Sequence, residues 1–237
     1  MERPPRTKRE HLRRLVAGKQ HWSGIRGEAA LAAGYKGWHE RGYLPHCDRP
    51  GLVQFVTFRL WDSLPAARRG EWEHLLSADA GKKSSREQRV KLEDYLDRGH
   101  GGCCLRDARV AAIAEQTITH HHGQRFQMLA WVVMPNHVHA LIRVGDSLGK
   151  IIQNWKSVSA VEANRLLGRN GRFWQPDYWD RFMRDEEQIR KAVRYIENNP
   201  VKAKFCREPQ AWRFSSARFR DPKTGRLELP GTGSQTG

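Results

Sequence analysis

The sequence predicts an α+β fold in which an antiparallel sheet carries helices on one side. Three segments are rich in β-branched and aromatic residues, and three others place apolar residues at helical spacing. Along the chain they follow the order strand, helix, paired strands, helix and helix, which is typical of this class. The expected strands are residues 52–60, 126–134 and 137–144, and the expected helices are residues 107–122, 148–167 and 185–199.

The first strand and the first helix are bounded by residues that interrupt regular structure. Residues 52–60, with the sequence LVQFVTFRL, directly follow a Pro-Gly pair, which is typical of the start of a strand. Residues 107–122 place their apolar side chains on one helical face and are followed by Gly123. Because glycine commonly follows the last turn of a helix, we expect this helix to end there.

The second and third strands are predicted to form a hairpin. Residues 126–134 and 137–144 are separated only by Pro135 and Asn136, a pair typical of a turn. The first of these strands is apolar on both faces. Because a strand that is buried on both sides lies inside a sheet, we expect it to be central.

Two further helices are expected in the second half of the chain. Residues 148–167 form an amphipathic helix with a basic polar face. In the helix over residues 185–199, Asp185 and Gln188 have the spacing of a capping box. We expect Pro200 to end this helix, because proline disfavours helical backbone in the residue before it.

Charge and composition limit the class of protein. The chain has 237 residues, a net charge of +16 and a pI near 10.2, so its surface attracts polyanions. We expect the partner to be nucleic acid rather than anionic lipid. No apolar run approaches the ~20 residues of a membrane-spanning helix, and the four cysteines have neither zinc nor redox spacing. Without a signal-like N-terminal segment, the expected location is the cytoplasm.

Composition also divides the chain into regions. Residues 1–50 are a basic N-terminal extension rich in glycine and aromatic residues, residues 51–205 are the central domain, and residues 206–237 are a basic C-terminal tail. Inside the central domain, residues 65–100 form a charged insertion in which we expect helices joined by a loop. The two extensions are therefore expected to add helical and irregular structure to one domain.

Two histidines on one predicted strand are the first candidates for chemistry. Period-2 alternation places His137 and His139 on the face opposite Val138, Ala140 and Ile142, which are expected to face the core. The two histidines are then about 7 Å apart along the strand. From this separation two imidazoles can converge on one divalent ion. The alternative is a pair of histidines with a purely structural role.

The helix over residues 185–199 offers further groups. Tyr195 and Asn199 lie one helical turn apart. The amide oxygen of Asn199 suits Mg²⁺ or Mn²⁺, and the phenol of Tyr195 could attack a phosphodiester held by the metal. The alternative is that Tyr195 is an ordinary half-buried tyrosine and that Asn199 ends the helix before Pro200.

Motifs in the central domain resemble one protein family. In their order along residues 51–205, they are similar to the motifs of the REP-associated tyrosine transposases, a branch of the single-tyrosine HUH transposases. The segment GYLPH just before this domain is also similar to that family. The matching segments are MPNHVH at 134–139, WKS at 155–157, FWQPDYWD at 173–180, RYIENNPVKA at 194–203 and GYLPH at 42–46.

The resemblance implies a ferredoxin-like or RRM-like palm, with residues 51–205 as an HUH transposase-like catalytic domain. It implies that His137, His139 and Asn199 bind Mg²⁺ or Mn²⁺ and that Tyr195 is the nucleophile. The implied reaction cleaves and rejoins single-stranded DNA at REP-like palindromic hairpins through a 5′-phosphotyrosine intermediate. The implied setting is the bacterial nucleoid, with the protein as a monomer or a homodimer. The alternative function is that of a non-catalytic, domesticated hairpin-binding protein.

DNA contacts are expected from basic and aromatic residues around the helix over residues 148–167. Trp174 and Gln175 are candidates for contact with an unpaired base, and the alternative for Trp174 is core packing. The candidates for phosphate contact are Lys150, Lys156, Arg165, Arg169, Arg172 and Arg181.

Overall fold

The computed structural model describes residues 28–40, 45–64 and 94–229. Expectations for other residues lie outside the described part of the chain. They concern the first half of the N-terminal extension, residues 42–44 of the GYLPH segment, the part of the charged insertion up to residue 93, and residues 230–237. Among the helices that the structure describes, none is both long enough and apolar enough to cross a lipid bilayer.

Helices and strands of the described residues follow the predicted order, with additions. The helices are α1 (Glu28–Ala32), α2 (Ala108–Thr119), α3 (Leu148–Leu166) and α4 (Glu186–Lys202). The strands are β1 (Gly37–Glu40), β2 (Pro45–Asp48), β3 (Val53–Arg59), β4 (Phe126–Val133), β5 (His137–Val144) and β6 (Trp179–Phe182). Short 3-10 helices occupy Cys104–Arg106, Pro209–Ala211 and Ser216–Phe219, and residues 94–97 form one helical turn.

A four-stranded antiparallel sheet, in the order β4-β5-β3-β6, is the centre of the fold. Along the chain its elements run β3, α2, β4, β5, α3 and β6, which is the β-α-β-β-α-β order of ferredoxin-like folds. The predicted α+β class and its antiparallel sheet are therefore confirmed. Strands β1 and β2 form a separate antiparallel pair.

Helices cover both faces of the sheet, which corrects the expectation of helices on one side. On one face, α2 and α3 bury residues such as Ile118 and Ile152 against the sheet. On the other face, α4 buries Ala192 and Ile196 against a second cluster that includes Leu141 of β5. Burial of the apolar stripe of α4 is also favourable. Because α2 and α3 already cover the first face of the sheet, α4 packs on the second face.

Strand β4 lies at an edge of the sheet, so the expectation that it is central is wrong. It is apolar on both faces because a core lies on each side of the sheet. Its free edge is paired with the C-terminal segment. The Val133 N–H donates to the Phe214 carbonyl at 2.9 Å, and the Trp131 N–H donates to Ser216 Oγ at 3.1 Å. The C-terminal segment thereby covers the edge strand.

Helix α4 continues past Pro200, so the expectation that this proline ends the helix is wrong. Proline removes one backbone donor and crowds the carbonyl of residue i−4, but only two residues of α4 follow Pro200. The turn that contains it is closed by a hydrogen bond from the Ala203 N–H to the Asn199 carbonyl at 2.9 Å. At the start of α4, the Asp185 side chain accepts a hydrogen bond from the Gln188 N–H at 2.7 Å, so the predicted cap is present.

Three of the strands were not predicted. Strands β1, β2 and β6 have four residues each, which is too short for alternation to distinguish a strand from a loop. Strand β6 begins inside the aromatic FWQPDYWD segment and pairs with β3, so it completes the palm at the edge opposite β4.

We expect Trp155→Ala to lower the free energy of unfolding by about 3–5 kcal/mol. Trp155 is 1% exposed, and its rings lie 5.2 Å from Phe126 and 6.3 Å from Phe58 between centroids. Urea unfolding followed by circular dichroism measures the loss. Val161→Ala, on the same helix, is the control: Val161 is 69% exposed, and its change should stay within about 0.5 kcal/mol. Equal losses for the two variants would contradict this packing.

Candidate metal centre and nucleophile

His137 and His139 lie side by side on β5, on the face of the sheet that α4 covers. Their Nε2 atoms are 3.0 Å apart, and their ring centroids are 4.5 Å apart. Both side chains are buried. The structure therefore brings together the two histidines that alternation placed on one face, in more enclosed surroundings than the sequence indicated.

Hydrogen bonds at the other ring nitrogen orient both imidazoles. Nδ1 of His137 lies 2.7 Å from Asn136 Oδ1, and Nδ1 of His139 lies 2.7 Å from Thr57 Oγ1. Because the Asn136 amide nitrogen donates to the His100 carbonyl, its oxygen faces His137 as an acceptor. Nδ1 of His137 is then the protonated nitrogen, and Nε2 presents its lone pair. Complete burial lowers the pKa of His137 to about 3, so the ring is neutral at physiological pH.

Asp97 is a third group at this cluster, and sequence reasoning missed it. Its Oδ1 lies 3.5 Å from Nε2 of His137 and 3.8 Å from Nε2 of His139. These three atoms, all from buried residues, lie within 4.8 Å of one another and could hold a metal ion. Burial alone would raise the pKa of Asp97, but the facing imidazoles and the Asn199 amide outweigh it and lower the pKa, so the carboxylate is ionised. No local sequence pattern distinguishes Asp97 from other acidic residues of the charged insertion.

Helix α4 places Tyr195 and Asn199 beside the same cluster. The Tyr195 ring is half-buried, and its centroid lies 5.6 Å from that of His139 and 5.9 Å from that of Phe55. Asn199 is 1% exposed and lies next to Asp97, whose pKa it helps to lower. The predicted phenol and amide are thus brought to the histidines by the packing of α4 on the sheet.

Another buried histidine connects β2 to β6 and to the loop before it. Nδ1 of His46 is hydrogen-bonded to Asp180, and its Nε2 lies 3.3 Å from Asp177. Burial lowers the pKa of His46, but the two carboxylates outweigh it and raise the pKa to about 9. At neutral pH, the imidazolium therefore joins β2 to the FWQPDYWD segment. The sequence motif GYLPH contained this histidine, but nothing local indicated its partners.

We expect the stability to fall as the pH rises from 6.5 to about 9. The folded-state pKa of His46 lies above its unfolded value, so its contribution is complete below the unfolded pKa and is lost as pH passes the folded one. The shift corresponds to about 3 kcal/mol. Urea unfolding at several pH values measures the loss, and His46→Gln should remove this part of it. The same pH dependence in both proteins would contradict the assignment.

Some of the predicted DNA-contact residues are at the surface. Arg165, Arg172 and Arg181 are exposed, and the Lys150 side chain is 56% exposed. The Arg172 guanidinium lies over the Trp61 ring, 4.6 Å from its centroid. These residues could contact phosphates without breaking buried structure.

Trp174 belongs to the core. It is 5% exposed, its indole N–H donates to Ser159 Oγ at 2.9 Å, and its ring lies 4.8 Å from those of Phe58 and Phe173 between centroids. The expectation that Trp174 contacts an unpaired base is therefore corrected, and the core-packing alternative holds.

Three other candidates are engaged within the protein. The ammonium of Lys156 donates to the carbonyls of Gln175 at 2.5 Å and of Pro176 at 2.8 Å, so it stabilises the FWQPDYWD segment. The side-chain amide of Gln175 donates to the Trp61 carbonyl at 2.6 Å. Arg169 is half-buried and stays within the protein by donating to Asn164 Oδ1 at 3.1 Å.

Comparisons with known proteins found transposases among the proteins that are similar to this chain. A family model described as "Transposase IS200 like" matches residues 106–199. A REP-associated tyrosine transposase of Escherichia coli (strain K12) is 28% identical, over 47% of this chain and 66% of that protein. A putative REP-associated tyrosine transposase of Haemophilus influenzae is 25% identical, over 43% of this chain and 63% of that protein. A solved structure of a REP-associated tyrosine transposase bound to a REP hairpin has a TM-score of 0.46, at 18% identity over 80% of this chain and 95% of that chain.

The residues that this family model matches include His137, His139 and Tyr195. The resemblance of this chain to the REP-associated tyrosine transposases is confirmed by the two relatives. The matched region spans just under two thirds of the length of these two relatives.

Proposed function

We propose that the protein is a metal-dependent transposase that cleaves and rejoins single-stranded DNA at hairpin-forming, REP-like repeats, with Tyr195 as nucleophile. One observation supports this most strongly: the Tyr195 ring packs against His139 at the edge of a buried cluster of two imidazoles and a carboxylate. A phenol beside a divalent metal site is an arrangement suited to transesterification of a phosphodiester.

The donors at this cluster fit a divalent cation. The Nε2 atoms of His137 and His139 face one another, the Asp97 carboxylate lies beside them, and Asn199 lies next to Asp97. Oxygen donors favour Mg²⁺ or Mn²⁺. A bound ion of this kind would polarise the scissile phosphate and withdraw charge from it. We propose His137, His139 and Asn199 as the ligands that the family resemblance implies.

The reaction proposed for Tyr195 conserves the phosphodiester. Its phenol oxygen bonds to phosphorus and the bond from phosphorus to the 3′ oxygen breaks. The phenol proton passes to water, and the departing oxygen takes up a proton to become a 3′-OH. A 5′-phosphotyrosine remains, and the reverse step rejoins a strand without ATP. Because the phenol has a usual pKa of about 10, a neighbouring positive charge is needed to favour its phenolate.

Hairpin DNA is the proposed substrate because two relatives are described as REP-associated and because this chain is strongly basic. Exposed Arg165, Arg172 and Arg181 are available for phosphates, and the arginine–tryptophan pair at Trp61 offers a flat surface for an unpaired base. Since the proposed substrate is DNA, we propose a location in the bacterial cytoplasm, in association with the nucleoid.

The test is formation of a covalent adduct. The full chain is incubated with Mg²⁺ or Mn²⁺ and labelled single-stranded hairpins from palindromes near its own gene, and the products are separated on denaturing gels. We expect an adduct that disappears when EDTA removes the metal. Hairpin binding without any adduct, across several repeats and both metals, would overturn the enzymatic proposal and favour the non-catalytic hairpin-binding protein.

A further inference from the structure

We infer that Asp97 is a direct ligand of the metal ion, in addition to the two histidines and the Asn199 side chain proposed above. The inference rests on the proposed function, and it adds a residue from outside the matched family segment, which begins at residue 106. The charged insertion then has a part in the metal site through its last residues.

The separations between the donor atoms fit a common ion. Two ligands held about 2.1 Å from a metal, at angles of about 90–110°, lie roughly 3.0–3.4 Å from each other. The Nε2 atoms of His137 and His139 are 3.0 Å apart, and Asp97 Oδ1 is 3.5 and 3.8 Å from them. A movement of a few tenths of an ångström by one carboxylate therefore completes the site.

One oxygen of the Asp97 carboxylate faces the two histidines without a close partner. The residue is 1% exposed, its Oδ2 accepts from the Lys202 ammonium at 3.0 Å, and its Oδ1 makes no hydrogen bond of normal geometry. Nε2 of His137 lies 3.5 Å from that Oδ1, and the other nitrogen of the same ring is engaged with Asn136. Because a buried carboxylate oxygen without a close partner is costly, a cation among the three atoms would stabilise it.

The backbone around Asp97 is tightly fixed. A Cβ at Gly101 would lie 2.3 Å from the Ser63 carbonyl oxygen, so only glycine permits this close approach. The Asn136 side chain, which orients His137, also holds the His100 carbonyl at 2.8 Å. The segment that carries Asp97 and the strand that carries the histidines are thereby joined by the same asparagine.

Metal binding to the full chain tests the inference directly. Titration with Mn²⁺ alone, followed by electron paramagnetic resonance of the free ion, gives the affinity without any DNA. We expect Asp97→Asn to weaken it at least about tenfold, because even groups that only orient a ligand contribute this much. Asp94→Asn is the matched control: Asp94 lies in the same helical turn and within 3.8 Å of Lys202, but it is not part of the metal cluster. The affinity of the Asp94→Asn variant for Mn²⁺ should be unchanged.

A further variant and a structure separate the possible roles of Asp97. If Asp97 serves only as the partner of Lys202, then Lys202→Gln will weaken Mn²⁺ binding as much as Asp97→Asn does, and the inference is wrong. In crystals of the parent protein with Mn²⁺, anomalous scattering should place the ion in contact with Asp97 Oδ1. An ion on the two histidines alone would overturn the role of Asp97 but leave the proposed function standing. If Mn²⁺ does not bind at the histidines, both proposals fail.

Discussion

Tyr195→Phe is expected to abolish the covalent protein–DNA adduct and to reduce cleavage of hairpin DNA by on the order of a thousandfold or more. Phenylalanine keeps the ring that packs on His139 and Phe55, so the fold and the affinity for hairpins should not change. Only the nucleophilic oxygen is removed. Denaturing gels measure the adduct, and electrophoretic mobility shifts measure binding.

Tyr178→Phe is the control for this prediction. The Tyr178 ring lies 4.6 Å from that of His46 between centroids, and it is not part of the metal cluster. Removal of its hydroxyl should therefore leave cleavage intact. An adduct that persists in Tyr195→Phe would show that another group is the nucleophile. Loss of hairpin affinity in that variant would instead give Tyr195 a role in binding DNA.

His137→Ala is expected to abolish both Mn²⁺ binding and cleavage while hairpin binding remains. The substitution removes one of the two nitrogen donors, which are 3.0 Å apart, and a single imidazole holds a divalent ion weakly. Because His137 is fully buried, circular dichroism must show that the variant is folded. In the parent protein, reversible loss of cleavage with EDTA gives an independent measurement of metal dependence.

His122→Ala is the matched control for the histidine prediction. His122 also has an engaged Nδ1, which accepts from the Met128 N–H at 2.8 Å, but it is not part of the metal cluster. We expect His122→Ala to lower the free energy of unfolding and to retain cleavage of hairpin DNA. If hairpin binding falls in His137→Ala as far as cleavage does, the buried histidines support the fold rather than a metal.

Much of the palm was predictable because the sequence patterns that indicate its strands and helices involve neighbouring residues. The strand at residues 137–144 was predicted with its observed ends, and α3 was predicted to within one residue, since alternation and helical spacing are properties of neighbouring residues. The position of β4 could not be predicted in this way. Its apolar faces indicate burial, but an edge strand covered by a distant C-terminal segment has the same pattern as a central one.

The metal centre was predictable only in part. The two histidines share a face of one strand, and Tyr195 and Asn199 share a face of one helix, so each pair could be read from spacing. Asp97 could not, because it is one of several acidic residues in the charged insertion and only its packing distinguishes it. The same is true of His46 and Asp180, which are 134 residues apart in the chain.

The sequence by itself determined the order of three of the strands and of the three long helices, the shared face of His137 and His139, and the spacing of Tyr195 and Asn199. Backbone geometry alone is enough for these, because they depend on residues within a few positions of each other. The tertiary structure decided that α4 packs over the histidine face and that Asp97 joins the cluster. Those contacts depend on how distant segments compete to bury apolar surface and to pair buried charge, which no local pattern records.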